Sequence, residues 1–85
     1  MDDIIKEYLV KNKNKFKLEL LDLKKDYKDK LATEDPAFSE ILNAHFQGKV
    51  RSHIIRDLSL NLGVDFETSM IEIEEVNMLE YLKWN

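Results

Sequence analysis

Only two glycines and one proline occur in the 85 residues of this chain. Sheets need frequent chain reversals, and tight turns rely on Gly and Pro for backbone conformations that other residues adopt poorly. A chain with so few turn residues is therefore expected to fold mainly into helices. The length allows one domain, spanning residues 1–85, with a modest hydrophobic core.

Apolar residues recur every three or four positions along most of the chain, which is the period of a helix with one buried face. The clearest stripe advances by four, three, four and four residues: Phe16, Leu20, Leu23, Tyr27, Leu31. A second stripe advances strictly by four: Val50, Ile54, Leu58, Leu62. The predicted fold class is all-α, a small single-domain bundle of four to five short helices. A minor alternative is α+β, because residues 16–20 and 71–74 alternate over a short stretch.

Helix boundaries are indicated by capping residues. Asp35 can accept hydrogen bonds at a helix start, and Pro36 suits the first helical position, where no backbone donor is needed. Gly48 and Gly63 are each predicted to end a helix in the left-handed conformation. Asp65 is predicted to cap the last helix, in which Phe66, Met70, Ile73 and Tyr81 are expected to share one face.

The N-terminal region leaves one question open. Residues 3–32 keep apolar side chains on one side, as in a single helix. Residues 11–17 interrupt this with four alternate lysines, which repel one another, and with asparagines, which are weak helix formers. The sequence is therefore compatible with one helix or with two.

The residues that commonly carry catalysis are scarce. The chain has no cysteine, and its two glycines stand fifteen residues apart, so neither a thiol nucleophile nor a phosphate-binding loop is expected. His45 and His53 lack the spacing of a metal site. We expect His45 to be half-buried at the edge of the core and His53 to pair with Asp57 on a helix surface. The sequence predicts no enzyme activity, metal or cofactor.

Charge is distributed unevenly around a net value of −4. Residues 58–85 hold six acids and a single lysine, Lys83, so the C-terminal third is acidic. Aromatic residues and methionine, typical of interaction hot spots, are concentrated in the same region. The predicted partner-binding residues are Glu72, Glu75, Val76, Leu79, Tyr81 and Trp84.

These features favour a small non-catalytic adaptor, modulator or inhibitor. It would dock an acidic, apolar-edged helical surface onto another protein, for example a basic protein that handles nucleic acid. Such a chain would suit a bacterial or phage accessory protein, and a homodimer is compatible with it.

The alternative function is a helix-turn-helix-like nucleic-acid-binding regulator that uses the basic stripe at residues 49–56: Lys49, Arg51, His53, Arg56. Within it, Lys49, His53 and Arg56 fall at the helical spacing i, i+4 and i+7. The same stripe would also suit an acidic protein partner. Downstream, residues 58–68 resemble the turn of a helix-turn-helix, with Leu62-Gly63-Val64 followed by a capped helix. Ser69 stands where such a second helix normally buries an aliphatic residue. The helix also carries glutamates that phosphates repel, so we interpret the turn as a packing motif.

Targeting and membrane signals are not expected. The chain starts Met1-Asp2-Asp3, which is acidic, and no apolar stretch of a secretory signal follows. Uninterrupted aliphatic or aromatic runs reach three residues, too few to cross a bilayer. A cytoplasmic location without a membrane partner is therefore expected.

Overall fold

The computed structural model describes residues 2–33 and 35–84. Within these residues the chain forms six α-helices and no strand, which confirms the all-α prediction. The helices are α1 (Asp3–Lys11), α2 (Lys13–Glu19), α3 (Leu21–Thr33), α4 (Ser39–Asp57), α5 (Phe66–Ile73) and α6 (Met78–Leu82). A 3₁₀ turn, Pro36–Phe38, precedes α4, and a π-helical turn, Leu58–Leu62, follows it. Neither alternating segment forms a strand.

The N-terminal region consists of three helices rather than one or two. The breaks fall at Asn12 and Leu20, whose ψ angles are 12° and 10° instead of the helical value near −42°. Asn12 stabilises the first break because its side-chain amide donates to the Tyr8 carbonyl at 2.9 Å. Backbone bonds of helical spacing still cross both positions, from Phe16 to Asn12 and from Lys24 to Leu20. Both breaks are therefore kinks, and they raise the helix count above the predicted four to five.

Three of the predicted boundary residues act as expected. The Asp35 carboxylate accepts from the Ala37 amide at 2.9 Å, and the Asp65 carboxylate accepts from the Thr68 amide at 3.4 Å. Gly63 takes the left-handed conformation, with φ of 72°, after the π-helical turn. These features depend on neighbours within three residues, so local sequence is enough to predict them.

The prediction that Gly48 ends a helix is wrong. Helix α4 continues through this residue for another nine positions, to Asp57. Phe46, Val50 and Ile54 on either side are 4%, 0% and 0% exposed. Ending the helix at Gly48 would take these side chains out of the core, so their burial outweighs the low helix propensity of glycine.

The C-terminal region also divides. A single helix with Tyr81 on the same face as Phe66 was expected after Asp65, but α5 ends at Ile73 and α6 begins after Asn77. The Asn77 side chain caps α6 by accepting from the Glu80 amide at 3.1 Å. This break lets α6 fold back against α2 and α4.

Helix α4 is the centre of the fold and packs against α3, α5 and α6. The enclosed core combines residues from both ends of the chain: Ile5, Leu9, Phe16, Leu20, Phe46, Val50, Ile54, Ile55, Leu58, Ile73, Met78, Leu82. In the part of the chain described here, no helix has the length and apolar character needed to cross a membrane.

Candidate docking surfaces

The apolar residues predicted to bind a partner mostly close the molecule's own core. Val76, Leu79, Tyr81 and Trp84 are partly buried and pack against it. The Trp84 ring lies 5.9 Å from the Phe46 ring. The Tyr81 hydroxyl donates to the Leu9 carbonyl, and burial raises the pKa of this hydroxyl to about 12. Their first role is therefore to hold α6 and the residues around it in place.

The two predicted glutamates behave differently from each other. Glu72 is half-buried, and its carboxylate accepts from the Asp2 backbone amide at 2.9 Å, which joins the start of α1 to α5. Glu75 is exposed just after α5. Of the six predicted residues, only Glu75 is thus fully available to a partner.

A larger exposed apolar surface lies on α5, and the predicted partner-binding residues do not include it. Phe66, Met70 and Ile71 are 58%, 48% and 69% exposed, whereas Ser69 and Ile73 on the same helix are 0% exposed. At 100° per residue, Phe66 and Ile71 are separated by about 140° around the helix axis, with Met70 between them. The three side chains thus fall within one arc that spans about 140° of the helix surface.

Glutamates share that arc. Helical geometry places Glu67 and Glu74 between Met70 and Ile71 around the axis, and both glutamates are exposed. We call the resulting face the outer α5 surface: Phe66, Glu67, Met70, Ile71, Glu74. No Lys or Arg occurs from residue 57 to residue 82, so the sequence around it offers no positive side chain to offset its charge.

One signal in the sequence identifies this surface. Ser69 was recognised as the position that a helix-turn-helix-like pair buries, and the structure buries it completely. If Ser69 faces inward, Phe66 and Met70 lie at the border of the buried face and Ile71 lies opposite it. The apolar spacing predicted that Phe66 and Met70 share the buried face with Ile73, but both are exposed. The position of Ser69 after the turn predicts the orientation of α5 more accurately.

Three of the four residues in the predicted basic stripe line one groove. It runs between α3 and α4 as an open depression of about 590 Å³. We call this the α3/α4 groove; its lining includes Leu20, Leu23, Gly48, Lys49, His53 and Arg56. An ideal Cβ at Gly48 would meet no atom within 4 Å, so open space lies above its backbone.

Arg51 is separated from this groove. Its guanidinium points to the opposite side of α4, where it donates to the Val76 carbonyl at 2.9 Å and to the Gln47 side chain at 3.3 Å. The helical period accounts for this, because Arg51 lies about 200° around the axis from Lys49. Arg51 therefore holds the segment between α5 and α6 against α4.

The charges along the groove are only partly neutralised. The His53 Nε2 atom lies 2.9 Å from a Glu19 carboxylate oxygen. Lys49 and Arg56 form no ion pair with any residue that the structure describes. These two cations are therefore available to a negatively charged ligand.

The predicted pairing of His53 with Asp57 is wrong. The Asp57 carboxylate instead accepts from Lys15 Nζ at 2.7 Å and from the Tyr8 hydroxyl. Burial by itself would raise the pKa of this carboxyl, but the hydrogen bonds from Lys15 and Tyr8 outweigh it and lower the pKa from its ordinary value. Asp57 thus joins α1 and α2 to α4.

The groove continues toward the start of α4 into a small apolar cavity of about 40 Å³. Leu23 and His45 line both the groove and the cavity. Tyr27 also lines the cavity, and its ring is stacked on the Phe46 ring with 4.4 Å between the ring centres. His45 is exposed, not half-buried as expected, because α4 turns it toward this opening. Asp26, Lys30 and Lys49 also line the cavity, so charged side chains occur at both ends of the combined depression.

No metal centre is indicated: among the described residues, no group of three or more acidic or histidine side chains could hold a metal ion. Comparisons with protein-family models, with curated proteins and with solved structures found no match. The functional argument therefore depends on the two surfaces.

Proposed function

We propose that this chain is a non-catalytic protein-binding module, an adaptor, modulator or inhibitor. It docks the outer α5 surface onto a basic surface of another protein. The observation that supports this most directly is the exposure of Phe66, Met70 and Ile71, at 58%, 48% and 69%, on an acidic helix.

Burying the exposed apolar side chains of this surface against another protein would stabilise a complex. Exposed apolar surfaces bordered by polar residues often mark interaction sites. Covering apolar area stabilises a complex by about 25 cal/mol per Å², before the losses of freedom on association. The surrounding glutamates would speed encounter with a positive surface and disfavour a negative one.

The proposed surface lies N-terminal to most of the residues predicted from sequence. Glu75 adjoins it and can contribute charge directly. Val76, Leu79 and Trp84 support it by fixing the segment that follows α5 against the core.

The test compares the wild type with a doubly substituted variant, Met70→Ser with Ile71→Ser. Tagged proteins are used to capture partners from an extract of the source cells, and captured proteins are quantified by mass spectrometry. We expect a basic protein to be captured by the wild type and to be reduced at least about tenfold by the variant.

The matched control is Val10→Ser with Leu18→Ser, which removes two side chains that are 70% and 76% exposed on α1 and α2. This control should capture the partner as the wild type does. Circular dichroism and thermal unfolding verify that both variants remain folded. Equal capture by the α5 variant and the wild type would refute the proposal.

Nucleic-acid binding remains the second candidate, supported by the position of Lys49, His53 and Arg56 in one groove. Two observations weigh against it: Arg51 is used internally, and Glu19 lies against His53. The test is fluorescence anisotropy with a short DNA duplex at low salt. A complex that weakens steeply with salt, and that Arg56→Ala weakens further, would support this function.

A further inference from the structure

We infer that the α3/α4 groove binds the outer α5 surface of a second copy of this chain, so that copies associate head to tail. The inference rests on the proposed function in one respect, because it uses α5 as the docking element. It adds a receptor site and a partner of known chemistry.

The two surfaces are chemically complementary. The groove has an apolar floor, with Leu20 and Leu23, and the cations of Lys49 and Arg56, which form no ion pair with any described residue. The outer α5 surface has apolar side chains interleaved with Glu67 and Glu74. Docking would bring opposite charges together around an apolar contact, the arrangement found in specific protein interfaces.

Their dimensions also agree. The residues of α4 that line the groove run from His45 to Arg56, which corresponds to about 16 Å along the helix. Helix α5 has eight residues and is about 12 Å long. The open space above Gly48 allows a second helix to approach the backbone of α4 closely.

The occupant must come from another molecule. Within one chain, α5 packs against α4 and the π-helical turn, with Ser69 and Ile73 on its buried side. The residues that line the groove come from the end of α2 through α4, and none comes from α5. Within the described residues, neither surface is therefore covered by another part of the same molecule.

Because the two surfaces differ, the contact is heterologous. Each contact leaves one free groove and one free α5 at the ends of the assembly, so further copies can add until a ring closes. The average mass of the wild type should therefore rise with protein concentration above that of the 10.1 kDa chain. High salt should reverse this, because the charge contacts are at the surface.

The experiment uses two variants that each disable one surface. Gly48→Trp fills the groove and is compatible with a helical backbone, whereas Met70→Ser with Ile71→Ser disables α5. Masses are measured by sedimentation velocity and light scattering. We expect each variant alone to associate at least about tenfold more weakly than the wild type. An equimolar mixture should form 1:1 dimers, because one intact groove then meets one intact α5.

The control variant, Val10→Ser with Leu18→Ser, should associate as the wild type does, and circular dichroism verifies folding. A wild type that stays monomeric at millimolar concentration overturns the inference. So does Gly48→Trp associating normally, because the groove is then not the receptor; the proposed function, which is tested by partner capture, would still stand. A DNA duplex that binds the wild type but not Gly48→Trp, without self-association, would assign the groove to nucleic acid instead.

Discussion

Ser69 combines a small side chain that fits a buried position with a hydroxyl that is unfavourable there. Its side chain is 0% exposed in α5, and its hydroxyl has no hydrogen-bond partner among the described residues. A buried hydroxyl without a partner loses its hydration without compensation, which costs about 1–3 kcal/mol. A small side chain here nevertheless allows α5 to lie close against α4.

We therefore expect Ser69→Ala to increase the free energy of unfolding by about 1 kcal/mol, as measured by urea denaturation. Ser52→Ala is the matched control, because Ser52 is also in a helix interior but is exposed and donates to the Gly48 carbonyl at 3.0 Å. The control corrects for the higher helix propensity of alanine. If Ser69→Ala raises the free energy of unfolding no more than Ser52→Ala does, the Ser69 hydroxyl already has a hydrogen-bond partner.

Arg51 shows where residue type misleads. Four cationic or titratable side chains fall within eight residues, and composition treats them alike. Helical geometry separates Arg51 from Lys49, His53 and Arg56, and the structure then uses its guanidinium to bind the Val76 carbonyl. Residue type alone predicts a surface stripe, whereas position around α4 decides which members share it.

At the scale of elements, the two glycines have opposite roles. Gly48 has helical geometry in the middle of α4, with open space where a Cβ would lie. Gly63 has a φ of 72°, which side chains other than glycine rarely adopt. The same residue type thus weakens one helix and ends another segment.

This contrast predicts that alanine substitutions at Gly48 and Gly63 change the free energy of unfolding in opposite directions. Gly48→Ala should raise the free energy of unfolding by about 0.5–1 kcal/mol, because alanine favours the helix and restricts the unfolded chain. Gly63→Ala should lower it by about 1–2 kcal/mol, because Cβ strains the left-handed conformation. Chemical denaturation of both variants tests this. Changes of the same sign would contradict the assigned backbone conformations.

Kinks in the N-terminal region depend on packing as well as on sequence. The asparagines and lysines of residues 11–17 indicated a weak point, and α1 does end there. The second kink, at Leu20, has no such signal. Leu20 is 4% exposed, and bending the chain there lets α2 and α3 each contact other parts of the bundle.

At the scale of the molecule, polar contacts join segments that are far apart in sequence. Asp57 in α4 accepts from Tyr8 and Lys15, 49 and 42 residues away. Tyr81, near the C-terminus, donates to Leu9, 72 residues away. These contacts fasten the N-terminal helices to α4 and α6, so they connect the two ends of the chain.

We expect Asp57→Asn to lower the free energy of unfolding by about 1–3 kcal/mol at neutral pH. The Asp57 side chain is 11% exposed, and asparagine keeps an acceptor for Tyr8 but loses the charge that binds Lys15. The control, Asp26→Asn, affects an exposed pair with Lys30 and should cost less than about 1 kcal/mol.

The effect of Asp57 should depend on pH. Because the folded protein lowers the pKa of this carboxyl, its contribution to stability is complete only well above the unfolded-state pKa of about 3.9. It is lost as the pH falls through the lower pKa of the folded state. Urea denaturation across this range should therefore show the wild type and Asp57→Asn converging in acid. A constant difference would indicate that the charge of Asp57 does not stabilise the fold.

Local sequence by itself determined the helical class, the caps at Asp35 and Asp65, and the left-handed Gly63. Each follows from residues a few positions apart, or from a scarcity of turn residues that holds for the whole chain. The candidate site was only partly predictable: Lys49, His53 and Arg56 were placed on one stripe, but the exposed face of α5 was not identified.

Tertiary structure decided the rest, because burial depends on which surfaces meet. Helix α4 continues through Gly48, and the Arg51 guanidinium binds the Val76 carbonyl. The Asp57 carboxylate accepts from Lys15 and Tyr8, and Trp84 packs against Phe46. Each outcome is a competition between local preference and contacts made by residues tens of positions away. The exposed face of α5 is the part of the helix that these contacts leave uncovered. The spacing of apolar residues along the eight positions of α5 does not predict which part that is.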